Sequence, residues 1–303
     1  MPKKNISSFE LTALINELQV LVKGKIPHLY HQEGQALLLQ FHVPNKGKQL
    51  LKIIPGKWLC TTTLKEPSLH PSGFSMLLRK YLDNAFVKSI TQKDSERIIV
   101  FELEKKEKYV LIIELFSKGN IILTDEKLLI IGALEKQEWK DRSVKPGEKY
   151  LFPSSPLNWK TITEKEFIAT IQKSDKKNLA TTLATDLGLG GVYAEEVCLR
   201  AQIAKNSLSP QLANAECKKI YSSLQEMIAL LEKPHGYIYA EQITPFPLTN
   251  NTPLKETETY NEAIDALIPF AKSSPYEKKI KSMEYMINEQ QDAITKQEQL
   301  IIE

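Results

Sequence analysis

Three glycines, Gly188, Gly190 and Gly191, fall within four positions of "DLGLGGVYAEEVCLRA", residues 186–201, and a helical apolar pattern starts directly after them. A glycine turn at a helix start presents free backbone N–H groups and the positive end of the helix dipole, which together suit a phosphate. A dinucleotide fingerprint would need a strand before the glycines and a third glycine at position 193, but a helix pattern precedes and Tyr193 stands there. A P-loop would need Gly-Lys-Ser/Thr, which is missing. The spacing fits helix, tight turn, helix, with Ala194 small enough for close packing of the second helix. A phosphate seat and a plain packing turn are both compatible with it. Glu195 and Glu196, one turn into the helix, would repel an anion.

Cationic side chains offer a second chemistry. Arg79 and Lys80 in "MLLRKYL" lie opposite Phe74, Leu77, Leu78 and Leu82 on a helical pattern, where they could meet phosphate or simply be solvated. Residues 1–100 carry 14 Lys and Arg against 7 Asp and Glu, a balance of +7, while the other 203 carry 26 against 30, or −4. A basic front part fits a polyanionic partner such as nucleic acid, and Lys46, Lys48, Lys52 and Lys57 add to it. The cysteines, Cys60, Cys198 and Cys217, form no metal-like pair and are odd in number, so reduced buried thiols are expected. His28, His31, His42, His70 and His235 are scattered, with no nucleophile beside them. No metal and no cofactor is expected.

These groups need elements to hold them. Ser7 and Glu10 form a capping-box pattern ahead of a stripe of Leu11, Leu14, Ile15, Leu18, Leu21 and Val22, which Gly24 should stop. "HLYHQEGQALLLQFHV" reads as two strands about a Glu33–Gly34 turn, and "KQLLKIIPGKWLCTTTL" as one or two more. After the short helix "PSGFSMLLRKYLDNA" come five β-rich segments, from "VKSITQ" to "LLIIGALEKQ", parted by charged or glycine turns. Without long helices between them, an antiparallel series is expected and a parallel sheet is not. The overall class is α+β. A proline-rich break, "KPGEKYLFPSSPLNW", ends a β-rich domain over residues 1–155. Residues 156–235 read as an all-α domain, and "HGYIYAEQITPFPL" returns to strand character, so 236–275 should rejoin the β domain. Residues 276–303 place Ile280, Met283, Ile287, Ile294 and Ile301 at heptad spacing, the start of a coiled coil. It reaches the last position without a cap, so a longer protein is expected. No apolar run approaches the roughly 20 residues of a membrane helix. The opening is too polar for a secretory signal, and a cytoplasmic protein is expected.

Successive blocks resemble the NFACT family: "ISSFELTALINELQ", "GFSMLLRKYLDNAFVKSITQKDSERIIVFEL", "LIIELFSKGNIILTD", "WKDRSVKPGEKYLFP" and "LGLGGVYAEEVCLRA". These are ribosome quality control factors related to the nuclear export mediator factor and its bacterial and archaeal counterparts, and the chain looks archaeal in type. The resemblance implies a β-rich NFACT-N domain similar to the N-terminal domain of formamidopyrimidine-type DNA glycosylases, then a helix-hairpin-helix domain and a coiled coil. It implies a non-catalytic protein that binds tRNA and the large ribosomal subunit with a stalled peptidyl-tRNA, in many members promoting template-free extension of the nascent chain. The family's tRNA-linked acid in the first helix falls on Glu10, and its Asp-Arg pair, at the opening of a central strand, on Glu96 and Arg97. Both acids are one methylene longer than the family's Asp. By local pattern alone Glu10 is also the capping-box acid, and Glu96 and Arg97 are also strand-end charges.

Two other classes meet objections in the sequence. A DNA glycosylase would attack with the amine of Pro2, but its next residue should be Glu and here is Lys3, and the cysteine zinc module is missing. A surface adhesin is suggested by bacterial relatives labelled fibronectin-binding, and the lack of a signal peptide argues against it.

Overall fold

In the computed structural model, which describes residues 5–31, 36–63, 71–139, 142–153 and 157–267 with positions 283, 286, 287, 290 and 291, a doubly capped helix comes first. This is α1 (Ser8–Leu18). The Ser7 hydroxyl accepts from the Glu10 N–H at 3.2 Å, and the Glu10 carboxylate accepts from the Ser7 N–H at 2.8 Å, as the pattern predicts. The apolar stripe is buried, but so are Ser8, Phe9, Glu10 and Ala13. Within α1 only Asn16 is exposed, so the helix is a core element rather than a surface one. It is tied to the sheet through Gln19 Nε2, which donates to Ile90 O at 2.9 Å, and to the helical region through Asn16 Nδ2, which donates to Leu231 O at 2.8 Å. Lys23, not Gly24, takes the left-handed conformation after the helix, with φ 67°. Gly24 is needed for space instead, because a Cβ there would sit 2.8 Å from the Leu21 carbonyl oxygen.

The sheet is built from β1 (Lys25–Tyr30), β2 (Leu37–Val43), β3 (Gly47–Ile54) and β4 (Trp58–Thr62), then, after α2 (Gly73–Leu82), from β5 (Ala85–Gln92), β6 (Ile98–Glu104), β7 (Lys108–Glu114), β8 (Asn120–Asp125) and β9 (Ile130–Ala133). Its order is β4-β3-β2-β1-β5-β6-β7-β8-β9. Every neighbouring pair is antiparallel. Two meanders therefore meet where Ile26 pairs with Ala85. The turns before β4 and before β8 touch, since a Cβ on Gly119 would lie 1.8 Å from Gly56 N. Only two glycines can approach so closely. A short hairpin of β10 (Gln137–Trp139) and β11 (Arg142–Val144) follows. From it Arg142 makes an ion pair with Glu114, which is 1% exposed and also accepts from the Tyr150 hydroxyl at 2.8 Å.

The helical region holds α3 (Glu164–Lys173), α4 (Leu179–Thr181) with a π-helical turn over Thr182–Asp186, α5 (Gly191–Ala201) and α6 (Asn214–Leu230). The chain then returns to strands, but not to the large sheet. β12 (Gly236–Ile238), β13 (Ile243–Thr244) and β14 (Lys255–Thr257) make a sheet of their own, in the order β13-β12-β14. Buried Glu196 holds this segment to α5 by accepting from Thr249 Oγ1 at 2.7 Å and Arg200 Nε at 2.7 Å. The next helix is α7 (Tyr260–Leu267), and the Asn261 side chain engages both the N–H and the carbonyl of Thr61 on the edge strand β4, at 2.7 and 3.1 Å. That pairing mimics a further strand and blocks the edge. The expected joints near 155 and 235 lie inside one compact unit that runs to Ile264, and a second begins at Asp265. Of the coiled-coil stretch, Met283, Met286, Ile287, Gln290 and Gln291 are helical, and the rest lies outside the described residues. Pro2, Lys3 and the Glu33–Gly34 turn also lie outside them.

Candidate functional site

Glu96 and Arg97 lie in the turn between β5 and β6, just before the strand rather than as its opening residues. The turn is held from several directions. Leu115 N donates to Arg97 O at 2.8 Å, and Ser95 Oγ to Leu157 O at 3.2 Å. Gln92 is the hub. Its Nε2 donates to Glu96 O at 2.8 Å and to Ser8 O at 2.9 Å, and its Oε1 accepts from Thr12 Oγ1 at 2.6 Å and Lys160 Nζ at 2.7 Å. One amide thus ties the turn to the start of α1. Sequence reading missed Gln92, because nothing local marks a glutamine whose partners lie 84 and 68 positions away.

The glycine turn reaches the same place. Gly190 is the N-cap of α5, with φ 80° and ψ 160°, a region essentially reserved for glycine. Leu189 N and Gly190 N donate back to Leu183 O at 3.3 Å and Ala184 O at 3.2 Å, so the turn spends part of its donors on itself. Ser8 Oγ donates to Gly188 O at 3.1 Å and accepts from Trp159 Nε1 at 3.3 Å. The result is a cavity of about 400 Å³, lined by Ser8, Glu96, Arg97, Asp186, Gly188 and Gly190 among others.

Its chemistry is mixed. Arg97 is half-buried, and its guanidinium has no hydrogen-bond or ion-pair partner among the described residues. Burial lowers its pKa and the charge of Glu96 opposes that shift, but a guanidinium stays protonated. Asp186 also lines the cavity, with its carboxylate accepting from Ser174 Oγ at 2.9 Å. The lining thus holds one cation and two carboxylates, of which Asp186 is also paired with Lys176 Nζ at 3.7 Å. Such a lining suits a ligand with amino or hydroxyl donors as well as negative charge, and a bare phosphate less well. The repulsion expected from Glu195 and Glu196 is absent from the lining: Glu195 pairs with Lys205 Nζ at 2.9 Å and Glu196 with Arg200 and Thr249. Burial brings the Lys160 amine, behind Gln92, down to about 8, against the pull of Asp94. The three cysteines are buried and none is in a disulfide, and burial pushes the Cys198 thiol up to about 12. Among the described residues no group of three or more His, Cys, Asp or Glu could hold a metal ion.

The structure brings together Glu96, Arg97, Gly188 and Gly190, and leaves the other candidates elsewhere. Gly191 opens α5 and does not line the cavity. Glu10 is 0% exposed, and its Oε1 accepts from the buried Tyr193 hydroxyl at 2.6 Å. It supports the site from behind and meets no solvent. Arg79 and Lys80 line a different cavity, between β1 and α2. Arg79 Nε and Nη2 are committed to Leu29 O at 2.9 and 2.7 Å.

An antiparallel sheet whose buried first helix is met by a glycine turn defines a sheet-and-hairpin module with a small polar cavity at their junction. A family model described as NFACT N-terminal and middle domains matches residues 7–301, and the chain belongs to that family. Among its relatives is the archaeal Rqc2 homolog aRqcH of Methanocaldococcus jannaschii, 32% identical over 238 residues, covering 74% of this chain and 35% of the relative. Ribosome quality control complex subunit NEMF of Homo sapiens is 25% identical over 286 residues, covering 90% of this chain and 26% of the relative. The chain therefore spans about a third and a quarter of their lengths. The fold is shared with the fibrinogen binding protein from Staphylococcus aureus, at TM-score 0.72 and 20% identity, over 86% of this chain and 98% of that one. No helix among the described residues is long and apolar enough to cross a membrane.

Proposed function

We propose that this chain is the tRNA-holding part of a ribosome-associated quality control factor, working in the cytoplasm on large ribosomal subunits that carry a stalled peptidyl-tRNA. The observation that carries this reading is the Arg97 guanidinium, without a hydrogen-bond or ion-pair partner among the described residues, which lines one cavity with Glu96, Gly188 and Gly190. Arg97 supplies attraction, by forking onto phosphate or stacking on a base. Glu96 and Asp186 accept from base amino groups or ribose hydroxyls and so supply selectivity. The role is to bind and orient, and any template-free extension of the nascent chain would follow from the tRNA held here. The names of the archaeal and human relatives support a place in ribosome quality control.

Filter binding with purified tRNA at two salt concentrations tests it. Arg97→Ala should weaken binding by about 1–3 kcal/mol, the range of one good base or stacking contact. Glu96→Gln should lose discrimination between tRNAs more than total affinity. If Arg97→Ala binds like wild type at both salt concentrations, the RNA site lies elsewhere.

A further inference from the structure

The second cavity, of about 570 Å³, shares no lining residue with the first. It opens between β1 and the last turn of α2, and His28, Tyr30, Met76, Arg79, Lys80 and Asp83 line it. His28 and Tyr30 stand two apart on β1 and so share a face, with ring centroids 6.1 Å apart. Arg79, pinned by its two bonds to the Leu29 carbonyl, holds its guanidinium carbon 5.8 Å from the Tyr30 ring centre. Its Nη1 reaches only the Met76 sulfur, at 3.8 Å. Lys80 is exposed, and among the described residues it has no carboxylate partner, only the Tyr81 ring at 5.3 Å. Asp83 is the one acid lining the cavity among the described residues, and Asn84 Nδ2 donates to it at 2.9 Å. Met76 is 53% exposed beside these groups.

Flat π groups at the centre, an unpaired ammonium at the margin and an apolar floor are what an unpaired nucleotide requires. Bases stack on rings and guanidinium planes, and phosphates settle on lysines. The fold accounts for Arg79, which satisfies a strand carbonyl, but among the described residues gives Lys80 no carboxylate. An acidic protein segment would use Lys80 and leave the ring faces idle. The +7 balance of the first 100 residues adds the long-range attraction.

We propose that the β1–α2 cavity is a second RNA site, taking one or two unpaired nucleotides with a base against Tyr30 and Arg79 and a phosphate on Lys80. It is independent of the Arg97 cavity.

The test uses the whole chain and a fluorescein-labelled uridine hexanucleotide followed by anisotropy, with a 4-thiouridine version for photocrosslinking. Lys80→Glu and Tyr30→Leu should each weaken hexamer binding about tenfold, the weight of one stacked or charge-paired contact. Gly191→Ala, outside both cavities, should leave it within about twofold, and crosslinks should map to residues 28–30 or 76–83. If Tyr30→Leu fails to fold, Lys80→Glu and the crosslinks decide. Wild-type binding by Lys80→Glu, or crosslinks confined to residues 94–97, would overturn the proposal. So would equal competition by a hexaglutamate peptide, which would make the patch a seat for acidic protein. Crosslinks at residues 28–30 or 76–83 that persist in an Arg97→Ala background separate the two sites.

Discussion

The Ser8 hydroxyl donates to the Gly188 carbonyl at 3.1 Å, joining the first turn of α1 to the glycine turn 180 positions later. The same oxygen accepts from the indole N–H of Trp159, a side chain with no exposed surface. Ser8→Ala strands the buried indole N–H, while the Gly188 carbonyl, on an exposed residue, can turn to water; a buried polar group without a partner costs about 1–3 kcal/mol. Urea unfolding should show a lower midpoint at unchanged slope. An unchanged midpoint would mean that packing alone holds the glycine turn to the helix.

Neighbouring glycines in that turn should respond oppositely. At Gly190, φ is 80° and a Cβ would meet nothing within 4 Å, so the penalty for Gly190→Ala is backbone strain alone. That is on the order of 1–3 kcal/mol. Gly191 is already helical and equally uncrowded, so Gly191→Ala should be neutral or stabilising by up to about 1 kcal/mol. Thermal melts of the two single variants check the sign. Equal destabilisation would show that the turn is governed by something other than the Gly190 dihedrals.

What the sequence made legible was whatever repeats locally. The Ser7–Glu10 capping box, the strand meander and the turn–helix at Gly190 were all readable, because each is fixed by neighbours a few positions away. The alternation of "HGYIYAEQITPFPL" revealed strands at 236–244 but not their partners, and they pair among themselves instead of joining the main sheet. At Glu10 the capping role was legible but the burial was not, since a carboxylate in the first turn of a helix is usually solvated and here is fully enclosed. Nothing local marks Arg142 either, which is paired with buried Glu114 from 28 positions earlier. Gln92, Ser8, Lys160 and Asp186 act through bonds between distant segments, which no periodicity announces.

Glu17 should make stability depend on pH. It lies on α1 and accepts from Tyr260 N at 2.7 Å and Asn261 N at 2.8 Å, yet desolvation outweighs both bonds and raises its pKa from 4.5 to about 7. Below about pH 4.5 the folded and unfolded chains both hold the proton, and no penalty arises. From there to about 7 the unfolded chain ionises first, so stability falls as pH rises, and then levels off. The difference between wild type and Glu17→Gln across pH 4–8 isolates this slope, whatever the variant's absolute stability. A flat difference would mean that Glu17 ionises normally in the folded chain.

Glu10 and Arg97 should separate stability from binding. The Glu10 carboxylate accepts from the Ser7 N–H at 2.8 Å and the Tyr193 hydroxyl at 2.6 Å, with no exposed surface. Burial holds the Tyr193 hydroxyl well above its usual pKa, and the Glu10 charge adds to this, so the phenol stays a donor. Glu10→Ala leaves that phenol and the helix N-terminus without their acceptor, at a cost of about 2–4 kcal/mol. Arg97, half-buried at the rim and without a partner among the described residues, gives the fold little that solvent cannot replace. Arg97→Ala should therefore melt within a degree or two of wild type and still lose tRNA affinity. Glu10→Ala should melt far lower, and the fraction that remains folded at low temperature should bind tRNA within a few-fold of wild type. Melting curves and filter binding on both variants give the answer. If Glu10→Ala keeps its melting temperature and loses tRNA, the carboxylate is turned to the ligand in the bound state.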